Sequence, residues 1–322
     1  MSLRGTLPEP FGAGAGRAGE PMDIRAALRD GMARLRAAKV PSHTLAAELL
    51  LMSVLGRDRT WMYTHHEAVV EPQLLEKYLG LVARRVAGEP TQYLTGKQEF
   101  WGLEFEVRPG VLIPRPETEH LIEVVLERLG PRGIKIRMDT GEPSPHLRIA
   151  DIGTGSGCLA VALAYELPHA DVVATDISGL ALQVAQRNAE RPGVADRVRF
   201  VQSNLLDAVA SDSANRDGVF DVIVSNPPYV ALDEAATLPR EVREHEPHAA
   251  LFSGPTGVEM YAQLIRQAAE LLRDRGILAL ELGYNSPDHV LKIVREHPGW
   301  ANVSITNDLA GIPRVLGGER LR

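Results

Sequence analysis

The sequence predicts an α/β protein whose sheet is mostly parallel and covered by helices on both faces, with a small helical domain and a β-hairpin in front of it. Three observations predict this. From Leu147 onward, strand-like runs alternate with helix-like ones, the pattern that builds βαβ units. From Asp23 to about Gly88, apolar residues recur at helical spacing instead. Between these regions, FWGLEFEVRPGVLIP (Phe100 to Pro114) alternates apolar and polar side chains around a Pro109-Gly110 turn signal, as a hairpin does.

Bulk properties narrow the function classes. At 322 residues the chain exceeds what one core usually organises, so about two domains are expected. Hydrophobic residues at 44% and charged residues at 24% exclude a disordered or fibrous class. Apolar runs, such as Ile277 to Leu280, fall far short of the roughly 20 residues of a membrane helix, and none has signal-peptide architecture. No membrane association is expected, and the location is expected to be cytoplasmic. A single cysteine, Cys158, and ten histidines without HExxH spacing argue against disulfides and cysteine-clustered metal sites, so no metal is expected. A net charge of −7 opposes attraction to phosphate backbones, so no direct nucleic-acid partner is expected.

Four regions follow. Residues 1–21 are rich in Gly and Pro with almost no periodic apolar positions, and read as a disordered tail. Residues 22–92 form the helical domain: Ile24, Ala27, Leu28, Met32 and Leu35 mark one helical face, Leu45 to Leu55 a second helix and Leu74 to Ala87 a third. These stripes read as core, and a bundle appended to an enzyme suits partner recognition. Residues 93–116 are the hairpin linker, and residues 117–322 the sheet domain, beginning with a helix at about Thr118 to Leu129.

In HLRIADIGTGSGCLAVALA a strand ends at Ile152, a turn carries Gly153, Gly155 and Gly157, and a helix follows. Glycines let the backbone approach a ligand where the helix N-terminus begins. A nucleotide-type cofactor and a plain tight turn are both open at this point. The next strand, DVVATDIS, places Asp176 at its carboxyl end, where its two oxygens can accept both hydroxyls of a ribose; the competing role is a cap on the helix beginning near Leu180. A third strand, VRFVQSN, ends at Asn204-Leu205, from which an adenine edge and face are reachable.

The fourth strand, FDVIVS, ends in Asn226-Pro227-Pro228-Tyr229. Two prolines restrict the backbone and contribute no N–H, so the Asn226 side-chain oxygen and the Pro227 carbonyl can both face a substrate as acceptors. That pair suits a planar NH₂ group, with Tyr229 stacking on it or shielding it. An Asn-Pro turn after a strand is ordinary, but its place beyond the ribose carboxylate in one sheet favours catalysis. An amide nitrogen is a poor nucleophile because its lone pair is delocalised; two acceptors orient it toward a sulfonium methyl and stabilise the positive charge that develops. Such orientation is worth on the order of 7–11 kcal/mol.

These residues resemble the HemK/PrmC family of protein-(glutamine-N5) methyltransferases, which modify peptide chain release factors. Beyond DIGTGSG and NPPY, the segments GEPTQYLTGKQEFWGLEFEV, VLIPRPETE and EVREHEPHAALFSGPTG, the last with Glu246-Pro247 and Gly254, look like the family's linker, its catalytic opening and its substrate-side loop. The resemblance covers nearly everything after Met22. It implies a Rossmann-like class I fold with a seven-stranded, mostly parallel sheet, and S-adenosyl-L-methionine as methyl donor, leaving S-adenosyl-L-homocysteine. The cofactor residues it implies are Asp151, Gly153, Thr154, Gly155, Ser156, Gly157, Asp176, Asn204, Leu205 and Asn226, with the turn cradling the methionine part, Asp176 on ribose and Leu205 beside adenine. It implies Asn226, Pro227 and Tyr229 as catalytic, and Asn226, Pro227, Pro228, Tyr229 and Phe100 around the glutamine of a Gly-Gly-Gln loop. Phe100 reads equally as a core aromatic of the hairpin, and Arg115, Glu117 and Thr118 as joints between domains. The protein partner it implies is a release factor, which the helical domain is expected to dock, and the enzyme is expected to be a monomer.

Three other readings compete. A nucleic-acid amino methyltransferase also works on a planar nitrogen, but has to neutralise phosphates and flip a base, which the acidic balance opposes. A dinucleotide oxidoreductase has no use for NPPY, and a non-catalytic module predicts cofactor binding without turnover.

Overall fold

The computed structural model describes residues 22–130, 146–211 and 219–322; the expected tail and most of the two long loops, 130–146 and 207–218, lie outside the described residues. The chain divides into two compact units, with the boundary after Thr95.

The first unit is helical: α1 (Ile24–Ala37), α2 (His43–Leu55), α3 (Arg59–Thr64), α4 (Pro72–Val86) and α5 (Thr91–Thr95). Asp23 starts α1, its carboxylate accepting the Ala26 N–H at 2.6 Å. Pro72 opens α4, where a missing N–H costs nothing. Ile24, Leu35, Leu50, Leu51 and Val82 close one core, as the periodicity predicts, and Met62 joins them. Helices α3 and α5 are additional to the three predicted ones, because five or six residues are too few to display a 3.6-residue period. The buried Glu48 of α2 holds α3 instead, pairing with Arg59 at 2.7 Å and accepting the Tyr63 hydroxyl at 2.5 Å.

The second unit opens with a hairpin, but not at the predicted turn. Strands β1 (Lys97–Phe100) and β2 (Leu103–Glu106) pair with Phe100 opposite Leu103, so the loop is Trp101-Gly102. Both loop residues have positive φ, 53° and 67°, the primed two-residue turn whose twist matches that of the strands. Pro109-Gly110 does make a turn, with Val111 N–H donating to the Arg108 carbonyl at 3.1 Å, but no strand follows it.

The main sheet then forms from β3 (Leu147–Ile152), β4 (Ala170–Asp176), β5 (Val198–Gln202), β6 (Phe220–Ser225), β9 (Leu272–Glu281), β10 (Trp300–Asn307) and β11 (Pro313–Arg320). Its order is β10-β11-β9-β6-β3-β4-β5, seven strands in all, with β9, β6, β3, β4 and β5 mutually parallel and the β10–β11 edge antiparallel. Alternation sends Ile149, Val222, Val224 and Ala279 to a face covered by α6 (Glu119–Leu129) and α7 (Cys158–Glu166). It sends Ala150, Ile223, Leu278 and Leu280 to the opposite face. That face is covered by α11 (Glu259–Leu271) and α12 (Pro287–Glu296). A short parallel pair, β7 (Val230–Ala231) and β8 (Phe252–Gly254), follows the fourth parallel strand. Among the described residues, three more α-helices belong to this unit: α8 (Gly179–Glu190), α9 (Asp207–Ala210) and α10 (Arg240–His245). Successive strands proceed outward from β3 to β4 and β5, then return to its other side as β6. That reversal opens a crevice beyond the carboxyl ends of β3 and β6, where ligands of open α/β sheets bind.

Candidate active site

A cavity of about 310 Å³ occupies that crevice, near the lower end of the roughly 300–1,000 Å³ of small-molecule sites. One wall is the turn after β3, whose Gly153, Thr154, Gly155 and Ser156 line the cavity. The turn is anchored by β4: the N–H groups of Gly153 and Thr154 both donate to the Thr175 carbonyl, at 2.8 and 2.9 Å. A side chain on Gly153 or Gly155 would meet no protein atom within 4 Å, so the open space beside the turn is available to a ligand.

Asp176 ends β4 and lines the same cavity. Its Oδ2 accepts the Gly155 N–H at 2.9 Å and its Oδ1 accepts the Ser178 N–H at 2.8 Å, leaving a second lone pair on each oxygen. Burial raises its pKa above the ordinary aspartate range, against the pull of these amides. The competing cap role falls to Ser178, whose hydroxyl accepts the Ala181 N–H at 3.2 Å at the start of α8. Asn204 and Leu205 form the next wall, with Leu205 held at φ 49°, a conformation uncommon for a residue with a Cβ. Asn226, Pro227 and Pro228 line the side after β6.

Four expected site residues do not line this cavity. Asp151 is fully buried beneath the turn, where its Oδ2 accepts the Thr154 hydroxyl at 2.6 Å and the Ala160 N–H at 3.1 Å. Desolvation pushes its carboxyl up to about 7. Gly157 starts α7 in close contact with Ala185 of α8. Phe100 is 1% exposed, meets Phe105 edge to face at 6.0 Å and belongs to the buried cluster under α6 and α7. Tyr229 packs toward β9, its side chain against Gly283 and its hydroxyl 3.4 Å from Glu281 Oε1.

Other residues reach the site from the VLIPRPETE and EVREHEPHAALFSGPTG segments, whose side chains are not among the expected cofactor or substrate residues. Val111, Leu112, Pro114, Arg115 and Thr118 line the cavity, so the stretch after Pro109-Gly110 is a wall and not a hairpin strand. Pro247, Ala249 and Ala250 line the cavity from the loop after α10. Glu246 joins the two segments, its Oε1 accepting Arg115 at 2.5 Å and its Oε2 the Ile113 N–H at 3.3 Å. Thr118 binds both Asn226 and Glu281, a connection that spacing along the chain does not reveal.

Comparison with known proteins agrees with this geometry. Residues 26–96 match the PrmC N-terminal domain, and residues 136–242 match the methyltransferase small domain. A release factor glutamine methyltransferase from Koribacter versatilis is 44% identical over 93% of this chain and 99% of its own length. One from Chlorobaculum tepidum is 41% identical over 86% of this chain and 90% of its own. Among solved structures, the hMettl16 catalytic domain in complex with the MAT2A 3′UTR hairpin 6 superposes with a TM-score of 0.52, at 20% identity, over 75% of this chain and 81% of that one, a likeness of fold. With Asn226-Pro227-Pro228 lining the crevice, residues 26–96 matching the PrmC N-terminal domain, and relatives aligned over almost their whole length, the chain belongs to the release factor glutamine methyltransferase family.

Proposed function

We propose that this protein transfers a methyl group from S-adenosyl-L-methionine to the side-chain amide nitrogen, N5, of the glutamine in the Gly-Gly-Gln motif of a peptide chain release factor, and so modulates translation termination. The observation that carries this reading is that Asn226 and Pro227 line the same cavity as Asp176 and the glycine turn, so acceptor and donor groups share one crevice.

The residues present fit the donor. Open space beside Gly153 and Gly155 admits an amino-acid moiety against the backbone, Asp176 keeps a free lone pair on each oxygen for ribose hydroxyls, and Leu205 offers an apolar surface for adenine. Bound S-adenosylmethionine supplies an electrophilic methyl group. The Asn226 side-chain oxygen and the Pro227 carbonyl accept the two N–H groups of the glutamine amide, fix its plane and stabilise the charge that grows on nitrogen. Prolines at 227 and 228 keep competing backbone donors away from that oxygen pair. Asp151 and Gly157 shape the turn, and Tyr229 supports the strand end.

We read residues 22–92 as the release-factor docking domain, 93–116 as linker and 117–322 as catalytic, supported by the match of the first region to the PrmC N-terminal domain. The protein acts as a cytoplasmic monomer on a protein substrate, without metal, membrane or direct nucleic-acid contact. Among the described residues, no helix is long and apolar enough to cross a membrane.

The test is mass spectrometry of a release factor incubated with the protein and methyl donor, with and without chelator, beside DNA and RNA oligomers. One added methyl on the loop glutamine is expected. Methylated oligomers with an unmodified release factor would overturn the assignment.

A further inference from the structure

The amino end of the Asn226 side chain is committed: Nδ2 donates to Thr118 Oγ1 at 3.0 Å. Thr118 closes the turn Pro116–Thr118 ahead of α6, and its own hydroxyl donates to Glu281 Oε2, at the carboxyl end of β9, at 2.6 Å. A hydroxyl has one hydrogen, so a Thr118 that gives it to Glu281 can only accept from Asn226. The Asn226 oxygen is then the end left for the cavity. Thr118 and Glu281 are 2% and 1% exposed, so water does not compete for these bonds.

We propose, resting on the function above, that Thr118 and Glu281 are positioning residues which lock the Asn226 amide oxygen-outward, and thereby select an acceptor that brings N–H donors over an acceptor-only isostere such as a carboxylate. Without Glu281 as the receiving group, the Thr118 hydroxyl is free to donate to Asn226. The amide then flips, its NH₂ faces the substrate NH₂, and two donors meet with nothing between them.

Retention of a carboxyl at this depth agrees with such a task, since an isolated buried carboxylate is costly. Desolvation pushes Glu281 up to about 7. The groups that face it are Thr118 and Glu117 from the turn, Tyr229, Arg314 of β11, Tyr261 of α11 and Cys158 of α7. A proton on Oε2 reverses the donor order of the relay, so methyl transfer is expected to rise with pH through about 7.

The test uses the full-length protein with release factor as substrate, and release factor carrying Gln→Glu in its loop as the isostere. For Thr118→Val, the single-turnover rate should fall about tenfold or more, with S-adenosylhomocysteine affinity unchanged. With that product bound, the wild-type preference for the glutamine form over the glutamate form should collapse toward unity. Thr118→Ser should restore both rate and preference, and Glu281→Gln should flatten the pH dependence. A Thr118→Val protein with wild-type rate and preference overturns the relay alone. So does a Thr118→Ser protein as defective as Thr118→Val, and thermal melts of each variant separate this from misfolding. A wild type that leaves the release factor unmodified overturns both the relay and the proposed function.

Discussion

Asp176 accepts the Gly155 N–H at 2.9 Å, so the carboxylate after β4 and the glycine turn after β3 form one hydrogen-bonded unit. Asp176→Ala should therefore weaken S-adenosylhomocysteine binding twice over, by removing the ribose acceptors and by loosening the turn. A loss of about tenfold or more is expected by calorimetry, and an unchanged dissociation constant refutes the ribose assignment.

Asn226→Ala removes an acceptor on the substrate side of the same crevice. Methyl transfer should fall about 10²-fold or more, the scale of deleting one group that stabilises developing charge, while S-adenosylhomocysteine affinity stays within a few fold. Equal loss of both would show that Asn226 serves the donor instead.

Glu246 is 4% exposed and pairs with the half-buried Arg115. Arg115→Met should cost about 1–3 kcal/mol by leaving that carboxylate without its charged partner. Glu246→Gln, which keeps an oxygen for the Ile113 N–H, should cost less. The ranking is read from melting temperatures, and the opposite order argues that Arg115 contributes nothing to holding the loop.

Asp151 and Glu281 are both pushed up to about 7 by burial, against about 3.9 and 4.3 for such groups in an unfolded chain. The folded protein thus holds more protons than the unfolded one between those limits. Their contribution is fully present below the unfolded values and is lost as pH rises through about 7. Stability of the ligand-free protein should fall from about pH 5 to about pH 8, with a shallower slope in Asp151→Asn. A slope unaltered by that change removes Asp151 from the account.

In the helical unit, a Cβ on Gly31 would lie 2.0 Å from the hydroxyl oxygen of Tyr78, a fully buried residue. Gly31→Ala should destabilise by about 1–3 kcal/mol through overpacking. Adding Tyr78→Phe, which deletes the nearest atom but leaves the ring carbon 2.8 Å away, should recover part of it. Additive losses in denaturant melts would place the strain elsewhere.

What could be read in advance followed from residues whose chemistry is local. The glycine turn, Asp176 at a strand end and Asn226-Pro227 each sit where a βαβ pattern puts them, and the cavity gathers them. The hairpin turn was misplaced because Pro109-Gly110 is the stronger dipeptide signal, whereas Trp101-Gly102 needs a tryptophan at positive φ, which strand pairing imposes. Which face an aromatic takes depends on partners met only in the fold: Phe100 meets Phe105, and Tyr229 packs against Gly283. Thr118 and Glu281 are separated by 163 positions and meet only once the sheet is assembled, so no spacing rule could join them.

Under the proposed function, the reversal of strand order between β3 and β6 separates two jobs that share a ladder of hydrogen bonds. Apart from Asn226, the groups proposed to hold the donor come from one flank of that seam, and the oxygen pair after β6 with its support from β9 comes from the other. Under the proposed function, substitutions on the second flank can retune which nitrogen is modified while the nucleoside berth keeps its shape. A scaffold divided along its middle in this way lets one half diversify while the other stands still.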